Sequence, residues 1–168
     1  NEYFNDLAFG KIKRGVAKWL LHKIRIWDQL AAERPDVVVA NSSTVKERIA
    51  KYYKRDAEVI YPPVDISRFK PTKEVSDYFL IVSTLTPYKK IDLAVEFFNK
   101  VGKKLVIVGE GKDKERLMAM AGPSIEFKGG LSDEEVARMM AECRGFIFPG
   151  EEDFGITPVE AMAAGRPV

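Results

Sequence analysis

Between residues 72 and 168, short apolar runs alternate with amphipathic stretches without a break, and this alternation constrains the chain more than any other feature. Strands are predicted at 78–83 (YFLIVS), 104–108 (KLVIV), 124–127 (SIEF) and 145–148 (GFIF). Helices are predicted at about 88–100, 112–121, 132–143 and 158–164, the third opened by the capping-box pair Ser132 and Glu135. The strands are apolar along their whole length, so both faces must be covered, which means a parallel sheet with helices on each side. The fold class is therefore α/β, a doubly wound parallel sheet. In the common order of such sheets the first and fourth strands are neighbours where the winding reverses, and ligands bind at their C-terminal ends. The loops leaving those two strands run from Ser83 to Lys90 and from Gly150 to Thr157. Fold logic alone thus brings Lys89 or Lys90 towards an acidic, glycine-containing loop.

That second loop belongs to the stretch GFIFPGEEDFGITPVEAMAAGRPV, residues 145–168. Thr157 suits an N-cap and Pro158 a first helical residue, because proline lacks the N–H that would be unpaired there. A glycine loop feeding a helix N-terminus directs free N–H groups and the positive end of the helix dipole at one place, which suits phosphate. Glu152 and Glu160 flank that place, where a simple phosphate loop prefers lysine. Carboxylates beside a phosphate cradle suit a ligand bearing both phosphates and hydroxyls, and a nucleotide sugar fits. Two plainer readings stay open on these residues alone. Glu160 stands three residues after Thr157, the spacing of a capping box, and Glu152 reads equally as a solvated loop acid.

The stretch resembles the donor-site signature of the retaining, two-domain (GT-B) glycosyltransferases of the family 4 type, also called group 1. In that signature two glutamates separated by seven residues bracket Phe-Gly and precede EAMAxGxPV. Glu152 and Glu160 match the pair, with Phe154, Gly155, Ala161, Met162, Gly165, Pro167 and Val168 in register. The resemblance implies that Glu160 accepts hydrogen bonds from the donor's ribose and that Glu152 is the catalytic residue beside the donor sugar. It implies that Lys89, the Thr157 hydroxyl and the N–H groups of Gly155, Ile156 and Thr157 hold the diphosphate, with backbone near Leu131 on the nucleobase. It also implies a reaction without metal or other cofactor, with GDP-mannose ahead of UDP- and ADP-sugars as donor and a glycan or lipid-linked acceptor. Retention of anomeric configuration comes from the family alone. One position departs. Where the family places an arginine five residues before the lysine, this chain has Thr84, and Lys90 is the nearest cation to compensate. Thr84 keeps a second class of function open, a nucleotide-sugar-binding module that is catalytically weak or inactive.

Upstream, residues 11–34 show helical spacing of Ile12, Val16, Leu20, Ile24, Trp27 and Leu30 or Ala31. Lys11, Lys13, Arg14, Lys18, Lys23 and Arg25 fill other positions, with no acid before Asp28. The basic face and two tryptophans fit contact with an anionic membrane surface through residues 11–27. Packing of the apolar face on the helix's own domain is the commoner arrangement and is expected here. A strand at 36–40, a helix at 45–54 with capping-box spacing from Thr44 to Glu47, and a strand at 57–61 follow. Prolines 62, 63 and 71 bracket a stiff connection. The expected organisation is therefore the end of an acceptor-side domain at 1–61, a linker at 62–71 and a donor-binding domain at 72–168. The segments IRIWD, ANSS, RIAKYY and VIYPPVD resemble a bacterial and archaeal subgroup of the same family, often mannosyltransferases of polysaccharide synthesis. The chain begins without Met and stops where another strand is expected, so it reads as a piece of a larger enzyme.

Composition excludes several classes. A net charge of +2 gives no footing for nucleic acid, and no apolar run reaches the roughly 20 residues of a membrane span. One histidine and one cysteine argue against a dedicated zinc site. These features and the resemblance point to a cytoplasmic protein, at most peripheral on the inner membrane face. Cys143 and the methionines, Met118 and Met120 among them, read as core. Gly109-Glu110-Gly111 follows a strand, but the third glycine of a dinucleotide fingerprint falls on Lys114, so the pair reads as a tight turn. A dinucleotide-dependent oxidoreductase is disfavoured on the same ground.

Overall fold

The structure, a computed structural model, describes residues 11–168, with side chains from Gly15 onward; Lys11, Ile12, Lys13 and Arg14 lie outside the described side chains. The chain divides into two units, 1–61 and 62–168.

The second unit carries four parallel strands, β3 (Phe79–Val82), β4 (Leu105–Val108), β5 (Ile125–Gly129) and β6 (Gly145–Phe146), in the order β5-β4-β3-β6. Strand alternation sorts the core into two faces. Leu80, Val106, Val108 and Phe146 point into one cluster with Met139, Met140 and Ala141 of α5 (Asp133–Glu142) and Ala161 of α6 (Ile156–Ala163). Ile81, Leu105 and Ile107 point into the other, with Val95 and Phe98 of α3 (Ile91–Val101) and Leu117 of α4 (Lys114–Met120). Because Leu80 pairs with Val106 and Ile81 with Ile107, each face is one continuous apolar surface. This is the doubly wound arrangement expected from the apolar strands, and β3 and β6 are neighbours.

Several local expectations need correction. α6 does not begin with Thr157 as cap. Gly155, at φ 80° and ψ 81°, is the N-cap, which places Thr157 and Pro158 inside the first turn. The left-handed backbone that glycine tolerates decides the helix start here, ahead of the Thr-Pro pair. The helix expected from residue 88 opens as a 3-10 turn, Pro87–Lys89, and breaks at Lys90, whose φ of 54° turns the chain before α3. Met118 and Met162 are exposed, 51% and 58%, while Met139 and Met140 are core. Cys143 is buried as expected, and burial pushes its thiol up to about 11. At the end of the chain the Phe146 N–H donates to the Pro167 carbonyl at 2.8 Å, so the last residues lie along β6.

In the first unit β1 (Val39–Ala40) and β2 (Glu58–Val59) pair in parallel, and α2 (Ser43–Tyr53) covers them through Ile49. Its cap is Ser42, whose hydroxyl accepts from Val45 N–H at 3.1 Å; the Thr44–Glu47 spacing is not used. α1 (Lys11–Ala32) is tied at its C-terminal end, by the Tyr53 hydroxyl donating to Asp28 at 2.7 Å and Arg55 donating to the Ala32 carbonyl at 2.6 Å. Its apolar residues Val16, Trp19, Leu20, Ile24, Trp27 and Leu30 are exposed. The expected packing on its own domain is absent among the described residues, because two short strands and one helix offer too little face to cover it.

Candidate active site at the β3–β6 edge

Two loops leave the C-terminal ends of β3 and β6 side by side. The first carries the 3-10 turn that presents Lys89, and the second carries Gly150 to Phe154. Gly150 sits against the backbone of Lys89, where an added Cβ would meet the Lys89 carbonyl oxygen at 3.0 Å and its Cα at 3.2 Å. A residue with a side chain here would push the two loops apart by a few tenths of an ångström. The Lys89 ammonium donates to a Glu152 carboxylate oxygen, forming an ion pair with both side chains largely buried. Lys89 also lies over the Tyr88 ring, 5.1 Å from its centre. A cation and an anion thus occupy the crevice where the strand order reverses.

Beyond Glu152 the chain passes Phe154, half-buried, and the buried Gly155 into α6. Pro158 in the first turn has no N–H, so the backbone donors offered at this end are those of Gly155, Ile156 and Thr157. With Gly155 as cap, Glu160 stands in the second turn of α6, two residues past the position a capping-box acid occupies, so the capping-box reading fails. The Glu160 side chain is 15% exposed and accepts no hydrogen bond among the described residues; a cation, Arg68 Nη2, is 3.8 Å from Oε1. Burial raises its pKa, the Arg68 guanidinium lowers it, and the Asp133 carboxylate raises it. A half-buried carboxylate with its acceptor capacity unspent is a group poised for hydroxyl donors.

Arg68 was not legible as a site residue. It sits on the 62–71 segment and forms an ion pair with Asp133, the first residue of α5, besides facing Glu160. Its place is set by a local turn, in which Asp65 Oδ1 accepts from Ser67 N–H at 3.0 Å and Ser67 Oγ at 2.6 Å, and by the buried Phe69 that follows. The Arg-Phe pair after a capped Asp is the one sequence signal that could have marked it. Arg68 and Asp133 also line a groove of about 530 Å³ between this segment and α5.

The remaining sequence-derived residues are placed as follows. Leu131, half-buried ahead of α5, packs on the core cluster shared by α5 and α6. Thr84 is exposed; its carbonyl accepts from Ser83 Oγ at 3.2 Å and from Thr86 N–H at 3.0 Å. Lys90 is exposed in the left-handed turn and makes no ion pair among the described residues, and Ile156 is 48% exposed. The glycines after β4 do more than turn the chain. A Cβ on Gly109 would lie 1.9 Å from the Ser83 carbonyl oxygen, and one on Gly111 2.2 Å from that of Leu85. They let the β4 exit lie directly on the β3 exit, where Leu85 N–H donates to Glu110 O at 2.9 Å and Asp113 N–H to Leu85 O at 3.1 Å. The Lys89 loop is therefore braced from both sides.

Comparison with known proteins agrees with this architecture. Residues 64–168 match the family described as glycosyl transferases group 1. Over 154 residues the chain is 32% identical to the O-antigen chain mannosyltransferase RfbU of Salmonella typhimurium, covering 83% of this chain and 43% of that protein. It is 30% identical to a GDP-mannose-dependent alpha-mannosyltransferase of Mycolicibacterium smegmatis, covering 84% and 41%. The chain thus spans less than half the length of these relatives. Among solved structures, the sucrose-phosphate synthase of Thermosynechococcus elongatus superposes with a TM-score of 0.74 at 20% identity, covering 88% of this chain and 43% of that one.

Proposed function

The chain belongs to the glycosyl transferases of group 1, and from that premise we propose that it carries most of the donor-binding half of a mannosyltransferase. The donor would be GDP-mannose, UDP- and ADP-sugars being the alternatives, and the acceptor a glycan or a lipid-linked sugar. The observation that carries this reading is the Lys89–Glu152 pair in the crevice between β3 and β6. As the bond from sugar to phosphate breaks, negative charge grows on the departing diphosphate, and fixed donors aimed there lower the barrier. The Lys89 ammonium and the first-turn N–H groups of Ile156 and Thr157 are those donors, so the charge is met by the protein's own groups without a metal. Glu152, released from Lys89 when phosphate takes the ammonium, stands by the sugar and steadies the positive charge that develops at its anomeric carbon. Glu160 accepts from the ribose hydroxyls. Transfer with retention of configuration is part of the proposal.

Two finer elements join it. Thr84, exposed and uncharged, favours a weak donor site, and a binding module without turnover is the second reading. Trp19 and Trp27, 59% and 63% exposed on a helix that also carries Lys18, Lys23 and Arg25, support contact with the inner, anionic face of a membrane. No helix among the described residues is long and apolar enough to cross a membrane.

A thermal-shift panel of GDP, UDP, ADP, their sugars and NAD tests the donor site. A rise in melting temperature with GDP and GDP-mannose and none with NAD is expected. Indifference to all the nucleoside diphosphates would remove the proposal.

A further inference from the structure

Arg68 is held by groups outside the loop that carries Glu152, yet it faces Glu160 on the helix that this loop enters. The Asp65 turn fixes its backbone, Phe69 anchors the next residue at 6% exposure, and its guanidinium lies 5.5 Å over the Phe69 ring. Asp133 takes its directional ion pair. What remains for Glu160 is charge without a hydrogen bond, since 3.8 Å exceeds bonding distance. Were Arg68 bonded to Glu160 directly, it would occupy the lone pairs that ligand hydroxyls need. Were it absent, the half-buried carboxylate would face Asp133, a like charge.

We propose that Arg68 is a positioning residue for Glu160: a cation, clamped by Asp133 just out of bonding range, that supports the carboxylate while leaving both oxygens for the vicinal hydroxyls of a nucleotide ribose. The inference rests on the donor-site reading above and deepens it. The charged groups facing Glu160 are Arg68 from the 62–71 segment and Asp133 from α5. They act in opposite directions, which separates this role from that of a simple structural clamp. Loss of Arg68 leaves burial and Asp133 to raise the Glu160 pKa further. Loss of the Asp133 charge lowers it and frees the guanidinium to bond Glu160 outright.

The experiment uses the 168-residue chain with R68Q, R68K and D133N. The Glu160 carboxylate is titrated by carbon-13 NMR, and binding of GDP and of its 2′,3′-dideoxy analogue is measured across pH. In R68Q the Glu160 titration should move to higher pH, and GDP affinity should begin to fall at correspondingly higher pH as the solution is acidified. In D133N the titration should move to lower pH, while GDP binds more weakly at neutral pH because the acceptors are taken. R68K should keep most of the wild-type behaviour, and the dideoxy analogue should lose the pH dependence in every variant. An unmoved Glu160 titration in both R68Q and D133N overturns the inference. So does an R68Q loss that is equal at all pH values and equal for the dideoxy analogue, the signature of a clamp. If the wild-type chain binds no nucleoside diphosphate while the Glu160 titration still moves, the donor reading and the ribose assignment fail but the Arg68–Glu160 coupling stands.

Discussion

Lys89 and Glu152 neutralise each other across the two loops that leave β3 and β6, so the crevice carries a formed ion pair before any ligand arrives. A diphosphate bound as proposed would compete with that carboxylate for the same ammonium. The diphosphate carries more negative charge than the one carboxylate it would displace, so on the proposed reading its arrival would release Glu152 from Lys89.

The first prediction follows from that competition. Lys89→Ala should weaken GDP binding by about 1.5–3 kcal/mol, the worth of one charge-assisted contact, and leave guanosine binding unchanged. Glu152→Gln should do the opposite for GDP, leaving affinity equal or tighter because Lys89 is freed, while lowering turnover in the full-length enzyme. Titration calorimetry and a transfer assay check both. Parallel losses of GDP affinity in the two variants would show that the pair is structural.

A second prediction tests the close approach of the β4 and β3 exits. Gly109 and Gly102 both have positive φ, 139° and 66°, but only Gly109 has a backbone oxygen where its Cβ would go; nothing lies within 4 Å at Gly102. Gly102→Ala should cost about 1 kcal/mol, from the left-handed backbone alone. Gly109→Ala should cost more than about 4 kcal/mol, since backbone must move, and should release the Lys89 loop. Urea unfolding of the two variants measures the difference, and equal costs would mean that the braced loop yields easily.

The two core faces and the β3–β6 neighbourhood were legible because apolar strands and amphipathic helices advertise themselves locally. The Ser132–Glu135 capping box formed as its spacing suggests, with Ser132 Oγ accepting from Glu135 N–H at 3.3 Å. The start of α6 was misplaced because the torsion of Gly155 outweighs the preferences of Thr157 and Pro158. The helix after β3 broke at Lys90 for a similar reason, a left-handed residue that no sequence rule assigns to lysine. Arg68 was missed for a different cause. Its partners Asp133 and Glu160 come from distant helices, and only the folded sheet brings them to one side chain. Local signals therefore placed the elements and the loops, and tertiary contacts decided which charges meet.

The third prediction concerns Glu160 and stability. Its folded pKa is raised, by burial first, so its contribution to stability is present below the unfolded pKa and is lost as pH rises through the folded one. At neutral pH the ionised carboxylate is a net cost. Glu160→Gln should therefore hold or slightly raise the melting temperature at neutral pH, flatten its rise on acidification through the carboxylate range, and weaken nucleotide binding. Scanning calorimetry at several pH values, with GDP titrations, reads all three. A lower melting temperature with unchanged GDP affinity would return Glu160 to a purely structural role.

The last prediction turns on Thr84. It lies in the loop that carries Lys89, five residues before it, and its side chain is small and exposed where the family resemblance puts a long cation. Lys90, the nearby candidate to replace that charge, sits in the left-handed turn at the start of α3, exposed and without an ion pair among the described residues. The loop backbone at Thr84 is already fixed by the hydrogen bonds of its carbonyl to Ser83 Oγ and Thr86 N–H, so a longer side chain can be carried without rebuilding the turn. Thr84→Arg should then add a planar donor fork that meets phosphate better than an ammonium does. GDP should bind more tightly by up to about 1.5–3 kcal/mol, roughly ten- to a hundredfold. Guanosine should bind both forms alike, because the added charge has no phosphate to meet. Raised salt should erode the gain, as it screens an exposed charge more than a buried one. Titration calorimetry of GDP and guanosine against both proteins at two salt concentrations decides it. An unchanged GDP affinity, or an equal gain for guanosine, would place Thr84 away from the diphosphate and leave Lys89 as the site's principal cation.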